Sequence, residues 1–166
     1  QQEAEKKARA RWEKNAENAT MLVAEADGSN RRVFARGLRN TIGFGWHPRT
    51  KELWGMDHGI DWLGPDTPPE ELNHIERGKH YGWPFVYGDR ETIDVERHES
   101  VGALEEFARR TVPPALGCQA HASPIAMVFY TAEQFPADYR NDAFVALHGS
   151  WNRSQPVGYK VARIRF

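Results

Sequence analysis

Ile42-Gly43-Phe44-Gly45-Trp46-His47, then Pro48-Arg49-Thr50-Lys51, then Glu52-Leu53-Trp54-Gly55-Met56-Asp57 is the stretch that decides the fold. Two short runs rich in aromatic and apolar residues flank four residues of turn chemistry, which predicts a hairpin. Glu71 to Ile75 and Trp83 to Tyr87 read as two further short strands. Four strands in about 45 residues is the length of one propeller blade.

On the N-terminal side, the apolar run Met21 to Ala26, the turn Asp27-Gly28-Ser29-Asn30 and the run Arg32 to Ala35 predict another hairpin. On the C-terminal side the strand pattern lapses from Asp89 to Ala120, where Val101 to Arg110 predicts a short helix that Pro113-Pro114 stops. This segment reads as an insertion between blades. Strands resume at Ile125 to Tyr130, Ala143 to His148 and Tyr159 to Phe166, and each set ends its second strand on a His-Gly pair, His58-Gly59 and His148-Gly149.

The reading is therefore all-β over residues 20–166: the last two strands of one blade, one whole blade and the first three strands of another. A propeller closes with at least four blades, so open strand edges should call for more chain, a partner or self-association. Residues 1–19 stand apart, because Glu3/Lys7 and Glu5/Arg9 fall at helical spacing among alanines and predict a polar helical extension.

Composition narrows the function classes. With 22 basic and 23 acidic residues in 166, a net charge of -1 offers no field for nucleic acid. One cysteine, Cys118, excludes an intrachain disulfide and a zinc site built on paired thiols. No apolar run approaches the roughly 20 residues of a membrane helix, and neither a His-Glu-x-x-His spacing nor a phosphate loop occurs.

Several positions invite chemistry. The loop from Asp57 to Asp66, with Glu70 and Glu71, gathers carboxylates and glycine where carbonyls can turn toward calcium, although a solvated acidic loop has the same composition. Arg39-Asn40 stands before the first strand of the whole blade, where a guanidinium and an amide can fix a flat anionic ligand; the alternative is a surface arginine beside a turn asparagine. His121 and His148 fall near strand ends that open on the axial face of a propeller, or are simply packed. Gly82-Trp83-Pro84 and Ser150-Trp151-Asn152-Arg153 read as packing and turn residues.

Taken in order, Gly37-Leu38-Arg39-Asn40, Glu71-Leu72-Asn73, Tyr81-Gly82-Trp83-Pro84 and His148-Gly149-Ser150-Trp151-Asn152-Arg153 resemble the glucose/sorbosone dehydrogenase family, including soluble aldose dehydrogenases that use pyrroloquinoline quinone. The resemblance implies a six-bladed propeller with quinone and calcium on its axial face. It implies that Arg39 and Asn40 contact the quinone, with Arg39 also stabilising charge that develops on it. The carbonyls of Gly59 and Ile60 would hold its calcium, Glu71 and the Tyr81 carbonyl a second calcium, and His121 with His148 would line the pocket. The implied protein is periplasmic or secreted, oxidises an aldose or sorbosone-like sugar and passes electrons to a cytochrome or quinone.

Three departures accompany the resemblance. Thr41 stands where proline is common, Glu70 stands where aspartate is common, and the family's base histidine belongs to an earlier blade. The expectation is thus a quinone-dependent sugar oxidoreductase carried here without its base. The alternative is a propeller-type binding module without catalysis.

Overall fold

The computed structural model describes residues 17–93 and 101–166. The expected polar extension falls outside them except for residues 17–19, which form a turn. Among the described residues, no helix is long and apolar enough to cross a membrane.

The first hairpin pairs β1 (Thr20–Val23) with β2 (Arg32–Arg36), and its turn is held by Ser29 N–H donating to Asp27 Oδ1 at 2.9 Å. The decisive stretch folds as read, with β3 (Thr41–Trp46) antiparallel to β4 (Leu53–Asp57). In that turn the His47 ring accepts the Thr50 N–H at 3.1 Å. β5 (Glu70–His74) pairs with β4 and sets Asp57 opposite Glu71.

The fourth strand of this blade is not Trp83 to Tyr87. Pro84 has no N–H for a ladder, and Phe85 and Val86 both donate to the Gly82 carbonyl at 3.0 Å, so the chain turns there. Only β6 (Val86–Tyr87) remains extended, in a separate ribbon with β7 (Glu91–Thr92). The blade is completed by β8 (Leu116–Cys118), which pairs with β5 through Leu72 and Leu116, giving the order β3-β4-β5-β8.

The insertion therefore sits inside the blade, between its third and fourth strands, rather than between blades. It contains α1 (Val101–Arg110), whose Leu104 and Ala108 pack on Val86. The next blade is β9 (Pro124–Phe129), β10 (Ala143–Leu147) and β11 (Lys160–Ile164), in the order β11-β10-β9.

Two apolar layers hold the blades together. Met56 and Leu72 pack against Met127, Phe129, Ala143 and Val145, joining the second blade to the third. Ala35 and Leu38 pack against Leu53, Ile75 and Tyr81, joining the first to the second. Gly43 lets the inner strands meet, since a Cβ there would lie 2.4 Å from the Met127 nitrogen. The other face of β3 leaves Ile42, Phe44 and Trp46 exposed.

Candidate functional site

Because β3 starts where β4 ends, and β9 starts where β10 ends, four loops gather at one end of two neighbouring blades. Asp57 organises the first pair. Its buried carboxylate accepts the N–H groups of Arg39 at 2.9 Å and Asn40 at 2.8 Å and the Thr41 hydroxyl at 2.7 Å. Burial pushes the Asp57 carboxyl up, and these three bonds work against that rise. Thr41 thus supplies a donor that a proline at this position would lack.

The Arg39 side chain is fixed rather than free on the surface. Its Nη1 donates to the carbonyls of Gly59 at 2.9 Å and His58 at 3.3 Å, and its guanidinium lies 5.5 Å from the Trp83 ring centre. Gly59 has no room for a side chain, since a Cβ would sit 2.7 Å from Pro68 Cγ.

The loop after β4 is tied to the next blade. His58 Nε2 bonds the Pro124 carbonyl, His121 Nε2 donates to the Gly64 carbonyl at 2.7 Å, and Asn152 Nδ2 donates to the Asp61 carbonyl at 3.0 Å. Arg153 pairs with Asp66 at 2.8 Å and bonds the Pro65 carbonyl. Glu70, buried at the start of β5, accepts N–H groups from Gly59 and Ser123. Burial raises its carboxyl, while both of those bonds lower it.

Between the blades lies an open cavity of about 170 Å³, lined by Arg39, Asn40, Gly59, Asp61, His121 and Asn152 among others. Of the residues singled out from sequence, Arg39, Asn40, Gly59 and His121 converge here. His148 does not line the cavity; it is exposed, with Nδ1 3.4 Å from the Gly149 carbonyl. Trp151 reverses its reading as a packing residue, because it lines the cavity while 81% exposed. His58, Asp61 and Glu70, read from sequence as part of a candidate calcium loop, also line this cavity, whereas Ser123 was not singled out, because only the packing of two blades brings it there.

Behind the cavity is a void of about 20 Å³, lined by Gly59, Ile60, Asp57, Glu71 and Tyr81 among others. Glu71 Oε1 accepts the Gly88 N–H at 2.7 Å, whereas Oε2 has only the Asn73 amide at 3.4 Å. Burial, reinforced by the nearby Asp57 charge, pushes the Glu71 carboxyl up to about 7. A cation in the void would reverse that rise, and the volume suffices for one water-sized sphere.

Among the described residues, no group of three or more His, Cys, Asp or Glu side chains is arranged to hold a metal. The Gly59 and Ile60 carbonyls with single carboxylates are a donor set that suits calcium. The cavity wall carries two carboxylates, Asp61 and Glu70, against one guanidinium, Arg39. A flat polyacid would meet net repulsion there unless a divalent cation entered with it. Asn152 Oδ1 is buried in this wall without a hydrogen-bond partner. The donors present thus fit a quinone bridged by calcium.

A TrAA12-like family model matches residues 16–166. The chain belongs to that family. An uncharacterized protein of Borreliella burgdorferi is 36% identical over 149 residues, 88% of this chain and 38% of that protein. The pyrroloquinoline quinone-dependent sugar dehydrogenase of Hypocrea jecorina is 28% identical over 145 residues, 69% of this chain and 31% of its own. Among solved structures, the calcium structure of Trichoderma reesei Carbohydrate-Active Enzymes Family AA12 has a TM-score of 0.66 at 26% identity, covering 81% of this chain and 38% of that one. The resemblance carried by the sequence motifs therefore holds, and the fold is part of a propeller. The chain spans less than two fifths of the length of each of these relatives.

Proposed function

We propose that this chain forms one wall of the quinone and calcium site of a sugar-oxidising dehydrogenase. The observation that carries the reading is the 2.9 Å bond from Arg39 Nη1 to the Gly59 carbonyl, which brings guanidinium, amide and carbonyl groups from two loops to one cavity. Arg39 and Asn40 would hold the quinone, and the Gly59 and Ile60 carbonyls its calcium. Glu71 and the Tyr81 carbonyl would hold a second calcium in the small void. His121 lines the quinone side, and exposed His148 is left out.

The quinone would supply a hydride acceptor for the anomeric carbon of the sugar, and calcium would supply Lewis acidity. The residues of this chain bind and orient. Arg39, held in place by Gly59, His58 and Trp83, directs its remaining donors toward negative charge that develops in the cavity. Asp57 fixes the backbone on which Arg39 and Asn40 stand. The base that takes the hydroxyl proton comes from another blade in this reading, as does docking of the cytochrome or quinone that removes electrons.

Export to the periplasm or medium belongs to the same proposal and rests on the motif resemblance. Self-association belongs to it too, but rests on open strand edges, and the exposed row Ile42, Phe44 and Trp46 favours it. Light scattering should then find species larger than the 19.0 kDa chain, and a strict monomer would overturn it.

The reading is tested by following quinone absorbance and dye reduction together in the presence of calcium and glucose. The chain should give a calcium-dependent absorbance change with little turnover. No absorbance change would favour a binding module without catalysis, and robust turnover would refute the division of the site between blades.

A further inference from the structure

Glu70 is 3% exposed, yet both of its oxygens are engaged by backbone from different blades. Oε2 accepts the Gly59 N–H at 2.8 Å, and Oε1 accepts the Ser123 N–H at 2.9 Å. Gly59 belongs to the turn after β4 in the second blade, whereas Ser123 immediately precedes β9 in the third. The turn containing Ser123 also carries His121, and both residues hold positive φ, 57° and 63°.

The Gly59 carbonyl, on the next peptide plane, is fixed by Arg39. Gly59 is therefore restrained on both sides, by the Glu70 carboxylate through its N–H and by a guanidinium through its oxygen. Other ties join the two blades here: His58 Nε2 to the Pro124 carbonyl and His121 Nε2 to Gly64 O link the same two loops, while Asn152 and Arg153, after β10, reach Asp61 O and Asp66. Glu70 alone among these groups reaches both turns at once, one oxygen to each.

We propose that Glu70 is a positioning residue, a buried clasp that locks the turn presenting the Gly59 carbonyl to the turn presenting His121 and thereby sets the width of the inter-blade cavity. Its consequence for calcium and quinone rests on the function proposed above; the clasp itself does not. Glu70 touches neither sugar nor quinone in this account.

The test compares hydrogen exchange in the unliganded protein with that in Glu70→Gln. Glutamine offers one acceptor oxygen where two N–H groups need one each, and its NH2 faces the second donor. Exchange should accelerate about tenfold, the loss of one such bond, in peptides spanning 58–61 and 121–124 together, with 20–36 unchanged. Calcium affinity should fall by about tenfold to a hundredfold, as when a residue supporting a metal ligand is lost.

Unchanged exchange at 121–124, or acceleration on one side only, overturns the clasp. If Glu70→Gln does not fold, Glu70→Asp carries the test. It keeps the charge but is one methylene shorter, so it should release one N–H and, with the clasp open, speed exchange in both peptides together; full protection of both, or acceleration in one alone, overturns the proposal. Wild-type protein that binds no calcium would sink the functional reading, while the exchange data still judge the clasp.

Discussion

Replacing Glu71 with glutamine should raise stability at pH 8 when calcium is withheld. The carboxyl goes from 4.5 to about 7 on folding, chiefly through burial. At 1.36 kcal/mol per decade of proton affinity, that is roughly 3 kcal/mol against the charged form. Between these two values the folded chain holds a proton that the unfolded chain has shed. Stability is therefore fully present below about 4.5, declines as pH rises, and has lost this contribution above about 7.

Glutamine cannot ionise, yet its carbonyl can still accept the Gly88 N–H. The difference between variant and wild type should move in the variant's favour by about 3 kcal/mol from pH 5 to pH 8. Asp57 and Glu70, also raised by burial, contribute slopes of the same sign to both proteins, so the difference reports Glu71 together with its charge coupling to Asp57. Calcium at a hundredfold excess over its Kd should return about 2.7 kcal/mol to the wild type and much less to the variant. Denaturant midpoints at the two pH values, with chelator and with calcium, measure all of this. A pH-independent difference, or equal calcium responses, would refute the reasoning.

Asp57→Ala removes the acceptor for three donors at 2.7–2.9 Å. Each orphaned donor costs about 1–3 kcal/mol, partly offset by removal of a buried charge, so a net loss of about 2–4 kcal/mol is expected; a loss below about 0.5 kcal/mol in urea unfolding would show that the carboxylate does not anchor the Arg39 turn. His148→Ala should leave stability within about 0.5 kcal/mol and quinone binding unchanged. His121→Ala, which frees the Gly64 carbonyl, should cost about 1–3 kcal/mol and weaken quinone binding. Equal effects of the two histidine substitutions would remove the distinction drawn between them.

Much of the fold was legible because strand alternation and turn residues are local. The β3–β4 hairpin was read from Pro48 to Lys51 and from the aromatic runs beside it, and β9 to β11 followed in the same way. β8 was not legible. Three residues containing Gly117, after Pro113-Pro114, carry no strand signal of their own, and only pairing with Leu72 makes them a strand. Trp83 to Tyr87 had the better local pattern, but Pro84 and the turn at Gly82 removed it from the sheet.

The site divides along the same line. Arg39, Asn40 and Gly59 flank strands adjacent in sequence, so their convergence could be read from the hairpin between them. Glu70 and Ser123 are 53 positions apart, and only the packing of two blades brings them together. The His-Gly echo holds as a repeat of position, since each pair follows the second strand of its blade, but the two loops differ. Gly149 holds φ at +108° beneath the Tyr159 ring, and the loop that follows differs from the one after Gly59.

Arg39 and the carbonyl-bearing loop beside it are proposed to grip a flat, acidic quinone through a divalent ion. An equilibrium absorbance titration with pyrroloquinoline quinone, run with calcium and with chelator on wild type and Arg39→Ala, tests it most directly. Binding should saturate only with calcium and weaken about tenfold or more in the variant, the loss of one charge-assisted contact. Equal binding by both proteins, or binding indifferent to calcium, would contradict it.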